Sequence, residues 1–177
     1  MIYTKKGDKG ESEILGGKKF LKNNLVFEVL GNLDELNSLI GVCKNKAESF
    51  SVKILDLTLV ELLESIQRDL FIFQSIVAGA EKIITLDNIE SLEKQIDFIE
   101  KEIPALDKFI IGGGEDLANF LNLTRSVVRR TERSLVALNE KKSQELNLLI
   151  YLNRLSDLFF NLYRFVNFYN KYKEKYF

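Results

Sequence analysis

Between Leu148 and Tyr169 the apolar residues fall at Leu148, Leu152, Leu155, Phe159, Leu162, Val166 and Tyr169, in alternating steps of four and three. A mean step of 3.5 keeps one apolar stripe on one face of a helix for about 30 Å. Such a seam suits near-parallel packing in a left-handed bundle, so the chain has to supply long partner helices. Four further patterns meet that need. Leu36, Ile40, Cys43 and Ala47 share a face over about 33–47, where Asn32 and Glu35 read as a capping box. Leu55, Leu59, Leu62, Ile66, Leu70, Phe73 and Val77 step by threes and fours over about 53–80. Ile89, Leu92, Ile96, Ile99 and Ile103 do the same over about 87–102, before the chain's one proline, Pro104. A fourth helix follows the glycines at 112–114, with Leu117, Leu121, Thr124, Val128, Leu135 and Leu138 as its seam. The only strand-like alternation is a short one at 25–29. The chain reads as all-α, a five-helix bundle with a long N-terminal glycine-rich loop. One domain covers 1–177, with 1–31 as the loop region and 32–177 as the bundle.

Composition then limits the chemistry. There is no histidine, so the commonest general base near neutral pH and the commonest transition-metal ligand are both missing. A ferritin-like di-metal bundle, whose Glu-x-x-His ligands need histidine, is excluded. A single cysteine, Cys43, excludes an internal disulfide and a multi-cysteine metal site. No protein-built metal site is expected. The net charge of −1 is wrong for a polybasic nucleic-acid binder. No signal-peptide core opens the sequence and no apolar run is long enough for a bilayer, so the expectation is a soluble, cytoplasmic protein without a membrane partner.

Local charge runs against that balance. Residues 1–24 carry Lys5, Lys6, Lys9, Lys18, Lys19 and Lys22 against Asp8, Glu11 and Glu13, in a segment punctuated by Gly7, Gly10, Gly16 and Gly17. Glycines allow successive backbone N–H groups to form an anion-binding nest, and lysine adds a mobile positive charge. Ser12 adds a hydroxyl for a phosphate oxygen or a bound metal ion. "GDKGES" lacks the glycine spacing of a Walker A loop, and no strand precedes it. A solvated, mobile terminus is the other reading of the same residues.

The fourth helix carries "TRSVVRRTER". Arg125 and Arg129 lie about 40° apart around the axis, and Arg133 continues a stripe that borders the apolar seam. Arginine's planar fork suits phosphate or carboxylate; surface pairing with acids such as Glu132 is the alternative. Two phosphate-friendly regions in one small chain favour a polyphosphate ligand. In "YLNRLSD", Asn153 and Asp157 sit one turn apart, either as inter-helix hydrogen bonds or as pocket lining. In "NLDELN", Asp34 and Glu35 suit a helix's first turn, or orient an arginine of the fourth helix.

The blocks "YTKKGDKGESEILGG", "GNLDELNSLIG", "KFIIGGG", "LTRSVVRRTER" and "YLNRLSDLFFNLYRFVN" occur in this order. Together they resemble the signature blocks of the PduO-type ATP:cob(I)alamin adenosyltransferases, over nearly the whole chain apart from about 44–106. The resemblance implies a five-helix bundle assembled as a homotrimer with active sites between subunits. It implies transfer of the 5′-deoxyadenosyl group of ATP to cob(I)alamin, with triphosphate leaving and Mg2+ accompanying it. Cob(I)alamin is itself a strong nucleophile, which accommodates the missing histidine. By the same resemblance Thr4, Gly7, Asp8, Lys9 and Gly10 wrap the phosphates, helped by Ser12 and Lys22. Arg125 and Arg129 bind phosphate from the adjoining subunit, Asn153 contacts the nucleotide, and Asp34 holds Arg125 by a salt bridge across the interface. Phe109 matches the phenylalanine that packs below the corrin ring and keeps the lower axial ligand away. Without the resemblance Phe109 reads as a core aromatic beside a turn. A reductase and an adenosylcobalamin-dependent enzyme are the implied protein partners.

The chain departs from the family pattern at several points. Lys6 stands where threonine is expected, Gly112 replaces a proline, Asn122 a histidine and Leu30 an aromatic, and Ser12 is a shifted threonine. These changes bear on cofactor affinity more than on reaction class. Two other classes fit the residues: a nucleotide-binding regulator that lacks transfer, and a structural bundle that presents a partner surface.

Overall fold

The computed structural model describes residues 3–139 and 146–177. The helix with the unbroken seam, α5 (Leu146–Tyr169), is buried around most of its circumference. Around it stand α1 (Leu25–Ala47), α2 (Leu59–Val77), α3 (Leu86–Glu102) and α4 (Asp116–Asn139). α5 packs between α4 and α3, α4 also packs on α1, and α1 on α2. The five-helix expectation holds among the described residues. Fully buried Leu33, Leu36, Ile40, Leu121, Val128, Leu155, Phe159 and Leu162 fill the contact between these helices, each contributing about 1.5–3 kcal/mol by leaving water.

Several boundaries move. α1 begins eight residues before the expected Leu33, so the alternation at 25–29 is helical. Val26, Val29, Leu33, Leu36 and Ile40 are buried at steps of three and four. The N-cap is Asn24, whose side chain accepts from the Val26 N–H at 3.1 Å. Asn32 and Glu35 are therefore mid-helix and form no capping box. Asn32 instead donates to Ser134 and Glu28 and accepts from Arg130. Asp34 likewise lies beyond the first turn, where the acidic residue is Glu28. The loop region thus ends at Asn24, not at residue 31. α2 is shorter than 53–80, because Thr58 and Glu61 make a full capping box that starts it at Leu59. Thr85 and Asn88 do the same for α3.

The expected N-terminal loop contains a small hairpin. β1 (Glu11–Glu13) and β2 (Lys19–Leu21) pair antiparallel, with Ser12 opposite Phe20. The turn closes through the Gly17 N–H to Ile14 carbonyl bond at 3.2 Å. Gly16 and Gly17 have φ of +84° and +78°, which other residues adopt only at a cost. The Leu15 N–H donates to the Ala78 carbonyl at 3.1 Å, which docks the hairpin tip on the end of α2. A second two-stranded ladder joins β3 (Ile110–Ile111), ahead of α4, to β4 (Lys175–Tyr176) in the C-terminal tail. No helix among the described residues is long and apolar enough to cross a membrane.

α2, α3 and α5 are also joined by polar groups. The buried Tyr151 hydroxyl donates to Asp69 at 2.9 Å, and the Asn88 amide donates to the other Asp69 oxygen at 2.9 Å. Burial pushes the Asp69 carboxyl above its usual range, opposed by its bonds from Tyr151 and Asn88. Burial and the neighbouring Asp69 push the Tyr151 hydroxyl well above its own. Asp69→Ala leaves the Tyr151 hydroxyl without its acceptor. It should cost about 1–3 kcal/mol, read as a lower midpoint in thermal or urea unfolding. Because the folded pKa of Asp69 is raised, this group's stabilising contribution is fully present below the unfolded carboxylate pKa. It declines as pH rises through the raised value, a dependence that the variant should lack.

Candidate functional site

The turns that precede β1 shape the first part of the site. The Gly10 N–H donates to the Gly7 carbonyl at 3.2 Å, and the Lys22 N–H to the Gly10 carbonyl at 2.8 Å. This lays the start of α1's approach segment against the turn. A cavity of about 530 Å³ opens beside it, bounded by Thr4, Lys6, Gly7, Glu11, Ser12, Glu13 and Lys19. The Lys22 ammonium closes on the same turn, since a Cβ on Gly7 would stand 3.0 Å from Nζ. Of the residues expected to wrap phosphate, Thr4, Gly7 and Ser12 line the cavity and Lys22 abuts it. Asp8, Lys9 and Gly10 form the exposed turn alongside. Lys6 and Lys19 were not among the assigned ligands, yet both face the space. Lys19 is placed there by its register opposite Glu13. The lining carries both signs, Lys6 and Lys19 against Glu11 and Glu13, with the Lys22 ammonium at its edge. No cluster of three or more metal-ligating side chains occurs among the described residues.

The second part lies where α4 meets α5. The Arg125 guanidinium stacks 5.0 Å from the centre of the Phe160 ring. Burial and then the like charge of Arg129 push it below the usual arginine range, while Asp157 opposes them. Asp157 is raised chiefly by burial, against the pull of Arg154, Arg125 and Arg129. The Asn153 amide donates to Glu132 at 3.2 Å and its oxygen accepts from Arg154 at 3.0 Å. Arg154 also donates to Glu93 at 2.7 Å. Arg125, Arg129, Asn153 and Asp157 therefore share one half-open face. Arg133 stands apart from them, donating to the Arg129 carbonyl. A cavity of about 640 Å³ between α3 and α5 reaches this face at Arg154, Asp157 and Phe160.

The third part is Phe109. It is 85% exposed, so it is no core aromatic. The Phe177 N–H donates to the Phe109 carbonyl at 2.9 Å, which brings a second ring, 97% exposed, to the same edge through β3 and β4. Sequence reasoning missed Phe177, because a terminal phenylalanine carries no periodicity and its strand partner is more than sixty residues away. Gly112 and Asn122 touch here as well, a Cβ on Gly112 standing 3.3 Å from the Asn122 amide nitrogen.

Asp34 does not join the arginine face. Asp34 is exposed on α1, beside Leu15, Leu30, Phe71 and Ala78, and Phe71 is 66% exposed. Among the described residues Asp34 and Arg125 form no ion pair. The arginine that the "DELN" block does engage is Arg130, which bonds Glu35 and Asn32.

Known proteins share the sequence pattern and the fold. A family model described as "Cobalamin adenosyltransferase" matches residues 2–166. A corrinoid adenosyltransferase of Bacillus subtilis is 39% identical over 170 residues, covering 94% of this chain and 86% of that protein. The corrinoid adenosyltransferase PduO of Citrobacter freundii is 34% identical, and the match covers 92% of this chain but 49% of that longer protein. Among solved structures, a variant PduO-type ATP:corrinoid adenosyltransferase from Lactobacillus reuteri, complexed with cobalamin and ATP, superposes with a TM-score of 0.90. It is 33% identical and the match covers 100% of this chain and 96% of that one.

The turn that carries Phe109 into α4 is tightly fitted. Gly114 has φ +133°, and a Cβ on it would lie 2.0 Å from the Asn167 side-chain oxygen. Gly114→Ala should therefore cost about 1–3 kcal/mol, seen as a lowered midpoint in thermal unfolding.

Proposed function

This chain belongs to the cobalamin adenosyltransferase family, and from that premise we propose that it transfers the 5′-deoxyadenosyl group of ATP to cob(I)alamin. The observation that carries the reading is the pairing of a polar cavity, bordered by Lys6, Lys19 and Lys22 as well as by Glu11 and Glu13, with Phe109 standing in solvent. A helical bundle gains nothing in stability from either. Together they suit one anionic ligand and one large apolar ring.

The reaction needs no general base, because the nucleophile brings its own electron pair. Cobalt(I) attacks C5′, the C5′–O bond breaks with its pair on the leaving triphosphate, and the cobalt–carbon bond forms. The protein's part is positioning and neutralising charge on the leaving group. Lys9 and Lys22, with Lys6 and Lys19, surround the triphosphate, while Thr4, Gly7, Asp8, Gly10 and Ser12 fix its path. Mg2+ travels with the nucleotide. The Ser12 hydroxyl and the carboxylates of Glu11 and Glu13 beside the cavity would be the hard oxygen donors nearest to it, and its charge would offset the phosphates. Phe109 and Phe177 give the lower face of the corrin an apolar support that excludes an axial donor. Cobalt(II) left four-coordinate is more easily reduced.

The site is completed between copies in a homotrimer. Support comes from the separation of Asp34 and Arg125 within the chain, and from the exposed apolar residues around Asp34. In the trimer Asp34 of one copy pairs with Arg125 of the next. This sets Arg125, Arg129 and Asn153 against the nucleotide held by the neighbour's lysine turn. An electron donor for cobalt(II) and an enzyme that takes up adenosylcobalamin complete the partners, in the cytoplasm.

An anaerobic assay with chemically reduced cob(I)alamin, ATP and Mg2+ tests the reading by the absorbance change to adenosylcobalamin. Conversion that depends on ATP is the expected result; none would refute it. Arg125→Ala and Lys9→Ala should each lower kcat/KM by about 100-fold or more without loss of helicity. Phe109→Ala should slow the reaction begun from cobalt(II) while leaving ATP affinity within about twofold.

A further inference from the structure

Arg164 is the most deeply buried charge on α5, 5% exposed. Its guanidinium joins three segments. Nε donates to one Glu174 oxygen at 3.0 Å, and Nη2 donates to the Pro104 carbonyl at 2.8 Å and to the second Glu174 oxygen at 3.4 Å. One planar fork thus ties α5 to the turn after α3 and to the C-terminal tail. The same stretch of α5 holds the other end of the segment that carries Phe109. The Tyr163 hydroxyl accepts from the Gly113 N–H and donates to the Gly113 carbonyl. Asn167 donates to that carbonyl too, and accepts from the Glu115 N–H. Residues 104 and 113–115 are therefore anchored, while Phe109 projects from the span between them. Ile110 beside it packs on the core, the ladder ties it to the tail, and Glu174 fastens that tail ionically to the bundle.

We propose that Arg164, acting through Glu174 and the Pro104 carbonyl, is a positioning residue that holds Phe109 and Phe177 as one apolar shelf for the corrin. The inference rests on the adenosyltransferase reading and adds a residue to it. The guanidinium touches no substrate. Its work is to keep β4 registered against β3, so that both rings lie on one edge. Arginine fits the task because its donors are fixed in one plane and reach two acceptors on different segments at once. Methionine fills similar space but bonds neither. Removing Glu174 leaves the guanidinium buried without its counter-charge, and the tail loses its ionic fastening.

The test uses the full chain with cob(II)alamin, saturating ATP and Mg2+. The four-coordinate fraction is read by electron paramagnetic resonance. The wild type should form the four-coordinate species. Arg164→Met and Glu174→Ala should each lower its fraction by about tenfold, lower kcat for the reaction begun from cobalt(II), and leave KM for ATP within about twofold. Glu174→Gln keeps an acceptor oxygen and should recover part of the loss. A merely structural role would lower the folded fraction and move both kinetic parameters together, without changing the spectrum of the folded enzyme. If Arg164→Met does not fold, Glu174→Gln decides, because it keeps the shape and an acceptor oxygen for the guanidinium while removing the charge, and should show an intermediate four-coordinate fraction. Folded variants with the wild-type four-coordinate fraction would overturn the proposal. A wild type that transfers the adenosyl group but forms no four-coordinate cobalt would overturn it too, leaving the functional reading in place. A wild type that does neither would overturn both.

Discussion

Polar groups on a helix buried on nearly all sides must each find a specific partner, and α5 is such a helix. Its seam needs α3 and α4 for burial, and its polar residues then dictate what surrounds them. Tyr151 draws Asp69 from α2 and, through Asp69, Asn88 from α3. Tyr163 and Asn167 capture the glycine turn before α4, and Arg164 captures both the turn after α3 and the C-terminal tail. The same helix supplies Asn153 and Asp157 to the face it shares with Arg125. Scaffold and site are thus one set of interactions. A change that tilts α5 moves the arginine face and the phenylalanine shelf together.

How much of this the sequence shows depends on the range of each interaction. Apolar seams are local, so all five helices are legible, with α3 nearly to its ends. Boundaries set by capping chemistry are less so. Asn32 has the right residue three positions later in Glu35, yet α1 continues back to Asn24 because Val26 and Val29 extend the buried face. The hairpin at 11–21 is hidden because its strands are three residues long and its alternation is shorter than any periodicity test. In the site, Thr4, Gly7, Ser12 and Lys22 gather because they are close in sequence. Arg125, Arg129 and Asn153 gather because adjacent helices bring them together. Phe177 and Arg164 escape notice for the opposite reason. One acts across the chain through a two-residue ladder, and the other looks like a misplaced charge on an apolar helix until its acceptors are seen.

The absence of histidine marks how the work is divided. Acid–base catalysts need a titrating group near neutral pH, and the only carboxyls pushed upward among the described residues, Asp69 and Asp157, are engaged with Tyr151 and Asn88 or faced by three arginines. A chain so equipped suits a reaction in which the substrates carry the reactivity and the protein carries charge and shape. The lysines near the hairpin and the arginines of α4 meet the charge; Phe109 and Phe177 meet the shape. Asp34 and Arg125 form no ion pair among the described residues of one chain, which is why the proposed function places a second copy at the site.

The departures from the family pattern then acquire a physical meaning. Lys6 borders the cavity that takes the triphosphate in this reading, so replacing a threonine there exchanges a hydroxyl donor for a full positive charge. By the family resemblance Gly112 and Asn122 stand where a proline and a histidine are expected, and the two positions touch each other. A proline at 112 would stiffen the span that carries Phe109 by fixing φ. With glycine there, more of the span's order has to come from its anchors. Those anchors are the α5 side chains and the tail, so the burden on Arg164 and Glu174 is greater in this chain than in a relative with proline at that position.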